Sequence, residues 1–266
     1  GFWSALFLRL LTGMSLAGIY MPGLKVVSDR TEGQGSLQSR FVSFYTASFA
    51  IGTSLSYLLA GEINAVAGWR WAFSASAICT AIALVIIVVF VPPAHVSIGQ
   101  RKKLLPGFKA VFKSKAAMAY VLAYAAHMWE LFAVRSWIVA FLAFSIELNP
   151  RGAPVWSATQ VAFVVSLVGL PSSIAGNELS RRFGRRKVIT IVMITSAVVG
   201  ITLGFSAALP YLLVASIAII YGVTIVGDSA SLTAGVVAAA PEGYRGTTLA
   251  VHSTIGFFSA FLGPLA

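Results

Sequence analysis

The sequence predicts an all-α membrane protein. Three observations carry that prediction: apolar runs as long as a bilayer is thick, a charged fraction too small for a water-facing surface, and basic residues confined to every second connection. Hydrophobic residues make up 58% of the chain and charged residues 10%, whereas a soluble domain carries about 25% charge. Crossing the hydrocarbon core takes about 20 mainly apolar residues in a helix. Eight stretches qualify, at 2–24, 41–66, 69–91, 117–146, 155–176, 188–206, 211–240 and 247–266. Strands are excluded at these lengths, because an open sheet leaves backbone groups unpaired in lipid.

The connections between these segments alternate in charge. The first holds Lys25, Arg30 and Arg40, and the second only Arg70. The third holds Arg101, Lys102, Lys103, Lys109, Lys113 and Lys115, and the fourth only Arg151. The fifth holds Arg181, Arg182, Arg185, Arg186 and Lys187; the sixth has no cation and the seventh has Arg245. One side therefore collects fifteen cations and the other two. Positive charge stays in the cytoplasm, so the first segment runs inward and the rest alternate. The net charge of +11 then reflects topology, and nucleic acid is not an expected partner; the bilayer is. The chain opens and closes inside apolar runs, which reads as part of a longer protein. The stretch 92–116 is the longest polar connection. It begins at Pro92-Pro93, and Leu104, Leu105, Phe108, Val111 and Phe112 among its lysines predict an amphipathic surface helix. Cys79 sits in an apolar run, where a small buried residue is expected. Gly13 and Gly18 in segment one, and Gly222 and Gly227 in segment seven, suggest an internal repeat.

Several motifs resemble the major facilitator superfamily. Leu8 to Gly13 reads L-R-L-L-T-G, similar to the arginine-then-glycine motif of that family's fourth helix. Residues 68–73 read G-W-R-W-A-F and resemble its junction between helices five and six. Asn177 to Lys187 reads N-E-L-S-R-R-F-G-R-R-K, similar to the cytoplasmic G-x-L-a-D-r-x-G-r-k loop between helices eight and nine. Here Asn177 replaces the first glycine and Arg181 the aspartate, with Glu178 as the substitute carboxylate. The resemblance implies a two-bundle transporter fold, incomplete, with about eight transmembrane helices matching the fourth to the eleventh of twelve. It divides the chain into the second half of an N-terminal bundle (1–93), a cytoplasmic basic linker (94–116) and most of a C-terminal bundle (117–266). It also implies a cytoplasmic gate loop at Asn177, Glu178, Arg181, Gly184, Arg185 and Arg186, and a cavity-facing role for Arg9. In segment two, Ser56 and Tyr57 replace the G-P of the family's antiporter motif, which disfavours drug efflux.

Ionisable groups in lipid are costly, so each is a functional candidate. Glu130 lies mid-segment, about 20 Å from the cytoplasmic start, and suits a proton-carrying role. His127 is one turn earlier and could pair with it or titrate itself. Arg135 stands about 140° around the helix from Glu130 and would favour an anionic solute group if it reached a cavity. Asp228 follows Gly227 in segment seven as a second protonation site or a gate partner. Tyr124 and Trp137 are candidate cavity-lining residues, and His252 a candidate interface histidine. Enzyme signatures are absent: the sequence has no H-E-x-x-H, phosphate-binding loop or nucleophile elbow. No metal site or cofactor is expected. The sequence therefore predicts a multi-pass protein of a bacterial inner membrane. It would be a proton- or ion-coupled symporter of a small organic solute, working by alternating access. Efflux of lipophilic drugs and a non-transporting receptor or scaffold are the alternatives.

Overall fold

A computed structural model describes residues 1–90, 104–149 and 156–265. Every regular element among them is helical. Helices α1 (Phe2–Arg30), α2 (Ser36–Ala67) and α3 (Trp69–Phe90) come first. A short α4 (Leu104–Lys113) leads into α5 (Lys115–Leu148). Helices α6 (Ala158–Leu167) and α7 (Gly169–Phe183) share one span, followed by α8 (Arg185–Gly204). Helices α9 (Tyr211–Val226) and α10 (Ser229–Ala239) share another, and α11 (Arg245–Leu262) ends in a 3₁₀ turn, Gly263–Leu265. The spans number eight among the described residues and coincide with the eight predicted segments.

The helices overrun the apolar stretches, since α1 continues to Arg30 and α2 starts at Ser36. Hydropathy registers only the part that lipid solvates. Extending an existing helix into the polar region gains one hydrogen bond per residue fixed, so propagation continues. Two spans are broken, and both breaks have causes in the sequence. Pro171 has no N–H for the carbonyl of Leu167, where α6 ends. Gly227 and Asp228 form the turn between α9 and α10, at the weakest helix former of that run. Gly184 has φ of 93°, a left-handed conformation that allows α7 to turn directly into α8.

The predicted amphipathic helix is α4. Val111 is fully buried against the core, while Phe108, Phe112, Lys109 and Lys113 face outward. The start of the linker, including Arg101 to Lys103 and the boundary at 93, and Arg151 in its short loop lie outside the described residues.

Helix α2 packs against α6, α7 and α10 and also touches α1 and α3. Helix α5 packs on α11 over much of its length and also touches α6, α9 and α10. Glycines permit the closest approaches. A Cβ on Gly176 would overlap the carbonyl oxygen of Gly227, and one on Gly222 that of Val165. Gly13 and Gly18, by contrast, meet no neighbour, so the repeat suggested by glycine spacing has no counterpart in packing. Helix α3 buries none of its residues. Cys79 is therefore exposed, contrary to the buried position expected, because every face of α3 beyond its contact with α2 looks outward. Exposed apolar surface this extensive marks a face made for lipid.

Candidate functional site

A narrow cavity lies where α1, α2, α5, α10 and α11 converge. It encloses about 530 Å³, mouth included, of which about 40 Å³ admits the centre of a water molecule. One water takes roughly 10–15 Å³ by that measure, so this conformation leaves room for no more than a few waters. Tyr124, Met128, Leu131 and Arg135 of α5 share its face, as their helical spacing requires. Tyr20 of α1, Phe49 of α2 and Phe257 of α11 close it from other sides.

Two charged features meet here. His127 of α5 places Nδ1 2.8 Å from Oδ1 of Asp228, at the α9–α10 break, with the side chains 1% and 3% exposed. His127 also lines the cavity. A buried carboxylate requires a partner, and the broken helix delivers Asp228 to one. Around this pair several buried polar atoms make no hydrogen bond: Nε2 of His127, both ring nitrogens of His252, and Oδ1 of Asp228 itself, which lies close to His127 Nδ1 without hydrogen-bond geometry. His252 is fully buried and stacks on Tyr124, with ring centroids 3.8 Å apart. Gly256, one turn further along α11, leaves room for the Tyr124 ring.

The second feature is Arg135. Its guanidinium carbon lies 5.0 Å from the Phe49 ring centre and 5.4 Å from that of Phe132, within cation–π range. Its backbone carbonyl accepts a 2.7 Å hydrogen bond from the Tyr57 hydroxyl, which ties α2 to α5. Among the described residues no carboxylate pairs with Arg135, and no acidic side chain lines the cavity.

Glu130 is elsewhere. Its Oε1 accepts hydrogen bonds from Ser196 of α8 (2.7 Å) and Tyr221 of α9 (2.9 Å). It stands about 60° around α5 from His127, enough to aim the two at different neighbours. His127 thus pairs with Asp228 and not with Glu130. Tyr124 lines the cavity, whereas Trp137 is 59% exposed and donates its indole N–H to the Pro264 carbonyl at 3.0 Å. Arg9 is exposed on α1. Helical spacing puts it on the face of Leu16 and Tyr20, about 10 Å nearer the N-terminal end of α1 than Leu16.

The predicted gate loop joins α7 to α8 and makes contacts across to α2. Asn177 is buried and donates to the Ser39 carbonyl (3.2 Å) and Oγ (3.1 Å). Arg185 donates to Ser39 Oγ (2.9 Å) and to the Ala234 carbonyl (3.3 Å). Glu178 pairs with Arg40 of α2 at 3.3 Å and with Arg181 at 2.6 Å. Arg186 is exposed. A second crossing joins Arg245 of α11 to Glu32 (3.0 Å) and Asp29 (3.7 Å) beside α1. Sequence reading did not single out Ser39, Arg40, Ser196 and Tyr221, ordinary residues whose contacts with the predicted site residues appear only in three dimensions.

A model of the Major Facilitator Superfamily matches residues 1–264. The chain belongs to the major facilitator superfamily. No curated protein and no solved structure matches it. Members of this superfamily are membrane transporters of small solutes rather than enzymes, so this chain is a multi-pass membrane transporter. The stretch from Asn177 to Lys187 is the one that resembles the superfamily's G-x-L-a-D-r-x-G-r-k loop. Here Asn177 and Arg185 engage Ser39 directly, and Glu178 gathers the neighbouring arginines.

Proposed function

We propose that this transporter couples the movement of a small organic solute to a proton, and that the His127–Asp228 pair carries the proton. The observation behind this reading is the pair itself: a histidine and a carboxylate in close contact and almost wholly out of water, bridging α5 and a broken helix, with His127 on the wall of the cavity. Burying a charge is costly unless it is paired. Protonation changes that balance, and so changes how firmly the α9–α10 break is held to α5. A solute in the cavity would touch the same helices, which links its binding to the proton. The hydrogen bonds and ion pairs between α2 and the α7–α8 turn, and between α1 and α11, would hold the cytoplasmic side closed in this conformation. Their release, with rocking of the two bundles, would expose the cavity to the cytoplasm. An unpaired arginine in the cavity disfavours efflux of lipophilic cations.

The test is pH-gradient-driven uptake of a panel of organic acids and bases by proteoliposomes holding the full chain, comparing wild type with Asp228→Asn and Glu130→Gln. Loss of gradient dependence in Asp228→Asn, with coupling kept in Glu130→Gln, is the expected result. The opposite pattern would move the proton site to Glu130. A chain that binds a solute and never moves it would be a receptor.

A further inference from the structure

We infer that the cavity, once its helices part enough to admit a solute, takes an aromatic carboxylate, with the carboxylate on Arg135 and the ring among its aromatic walls. This rests on the chain's being a solute transporter and names the class of solute.

Charge comes first. Among the described residues, Arg135 is the only one lining the cavity that carries a permanent charge. Asp228 is not among the lining residues and is engaged by His127, and Glu130 is bonded to Ser196 and Tyr221 on another side of α5. Neither carboxylate is placed to neutralise the guanidinium. Phe49 and Phe132 hold it by their ring faces, which attract a cation through a quadrupole and leave its net charge uncancelled. A cation in a nearly dry site is stabilised by an anion that arrives with the solute. A guanidinium presents a planar fork of donors that matches a carboxylate.

Shape and polarity come second. Besides Phe49 and Phe132, the walls carry Tyr20, Tyr124 and Phe257. Five rings around so small a space favour edge-to-face and offset contacts with another ring. A small hydrophilic anion would leave these walls without contacts, and an aliphatic acid would forgo the ring–ring geometry. An arene carrying one carboxylate satisfies both features.

The experiment is equilibrium binding of radiolabelled benzoate to the full chain in lipid nanodiscs at neutral pH, with no gradient. Unlabelled benzoate should compete, while acetate and benzylamine at the same concentration should not. Arg135→Gln should weaken benzoate binding at least tenfold. Phe132→Leu, which keeps an apolar side chain and the charge, should weaken it several-fold, and this second variant covers the case in which Arg135→Gln does not fold. Three results would overturn the assignment: folded wild type that binds no benzoate, acetate competing as well as benzoate, or both variants binding as wild type does. Benzoate binding with flux indifferent to a pH gradient would remove proton coupling and leave this assignment standing. Gradient-driven flux of other solutes without benzoate binding would do the reverse.

Discussion

Removing one member of the His127–Asp228 pair should cost far more than removing a membrane hydrogen bond. In His127→Leu, Asp228 stays 3% exposed with no counter-ion. Stripping one partner from a buried ion pair costs about 3–5 kcal/mol. Hydrogen bonds between membrane helices, measured by double-mutant cycles, average only about 0.6 kcal/mol and reach about 1.7 kcal/mol. The two ranges do not overlap, so the measurement discriminates. Replacing both members by apolar residues should restore most of the loss, since a well-packed apolar pair is often neutral or better than a buried ion pair. The cycle therefore needs His127→Leu, Asp228→Leu and the double variant. Reversible unfolding in mixed detergent, followed by helical circular dichroism, gives the free energies. The expected coupling is about 3 kcal/mol, at the low end because the unfolded helices also find partners in the membrane. A coupling below 1 kcal/mol would mean that no buried charge is held there, and the proton site would have to be sought elsewhere.

Further outcomes follow from packing and placement. Gly222→Ala puts a methyl group against the Val165 carbonyl, and forced overpacking of this kind costs about 1–3 kcal/mol; an unchanged unfolding midpoint would contradict the close α6–α9 approach. Arg40→Ala removes an exposed cross-helix pair with Glu178. It should leave stability almost unchanged while raising cytoplasmic labelling of a cysteine placed at Thr46, whereas unchanged labelling would deny the loop a gating role. Side-specific amine labelling in sealed vesicles should reach Lys113 from the cytoplasmic face only. Its labelling from the opposite face would invert the topology. Glu130→Leu removes the acceptor of both the Ser196 and Tyr221 hydroxyls and should destabilise more than Glu130→Gln, which keeps one; equal midpoints would show that those contacts contribute nothing.

The site was legible in parts. His127, Asp228, Arg135 and Tyr124 stand out in the sequence because polar groups within apolar runs are rare, and the structure puts His127, Arg135 and Tyr124 on one cavity with Asp228 against His127. Glu130 stands out for the same reason, yet it faces α8 and α9. The cue that flags a residue as costly in lipid does not say which neighbour relieves the cost. His252 was visible as one of three histidines, but its stacking on Tyr124 depends on how α11 rotates against α5. The gate loop was located by its resemblance to a family motif, while its receiving residue, Ser39, lies 138 positions earlier and has no distinguishing feature of its own.

The spans and their order were legible in the sequence alone. Lipid offers no hydrogen bonds, so each segment must satisfy its own backbone within a helix, and that requirement is local and visible in a linear chain. The placing of cations on one side is equally local. Which face of each helix looks inward was decided only in three dimensions. In water an apolar stripe marks the buried face, but in a bilayer both faces are apolar and hydropathy carries no such mark. The rotation of α5 therefore emerged only from the packing of α11, α10 and α9 around it. That rotation pairs His127 with Asp228, opens Arg135 to the cavity and turns Glu130 away.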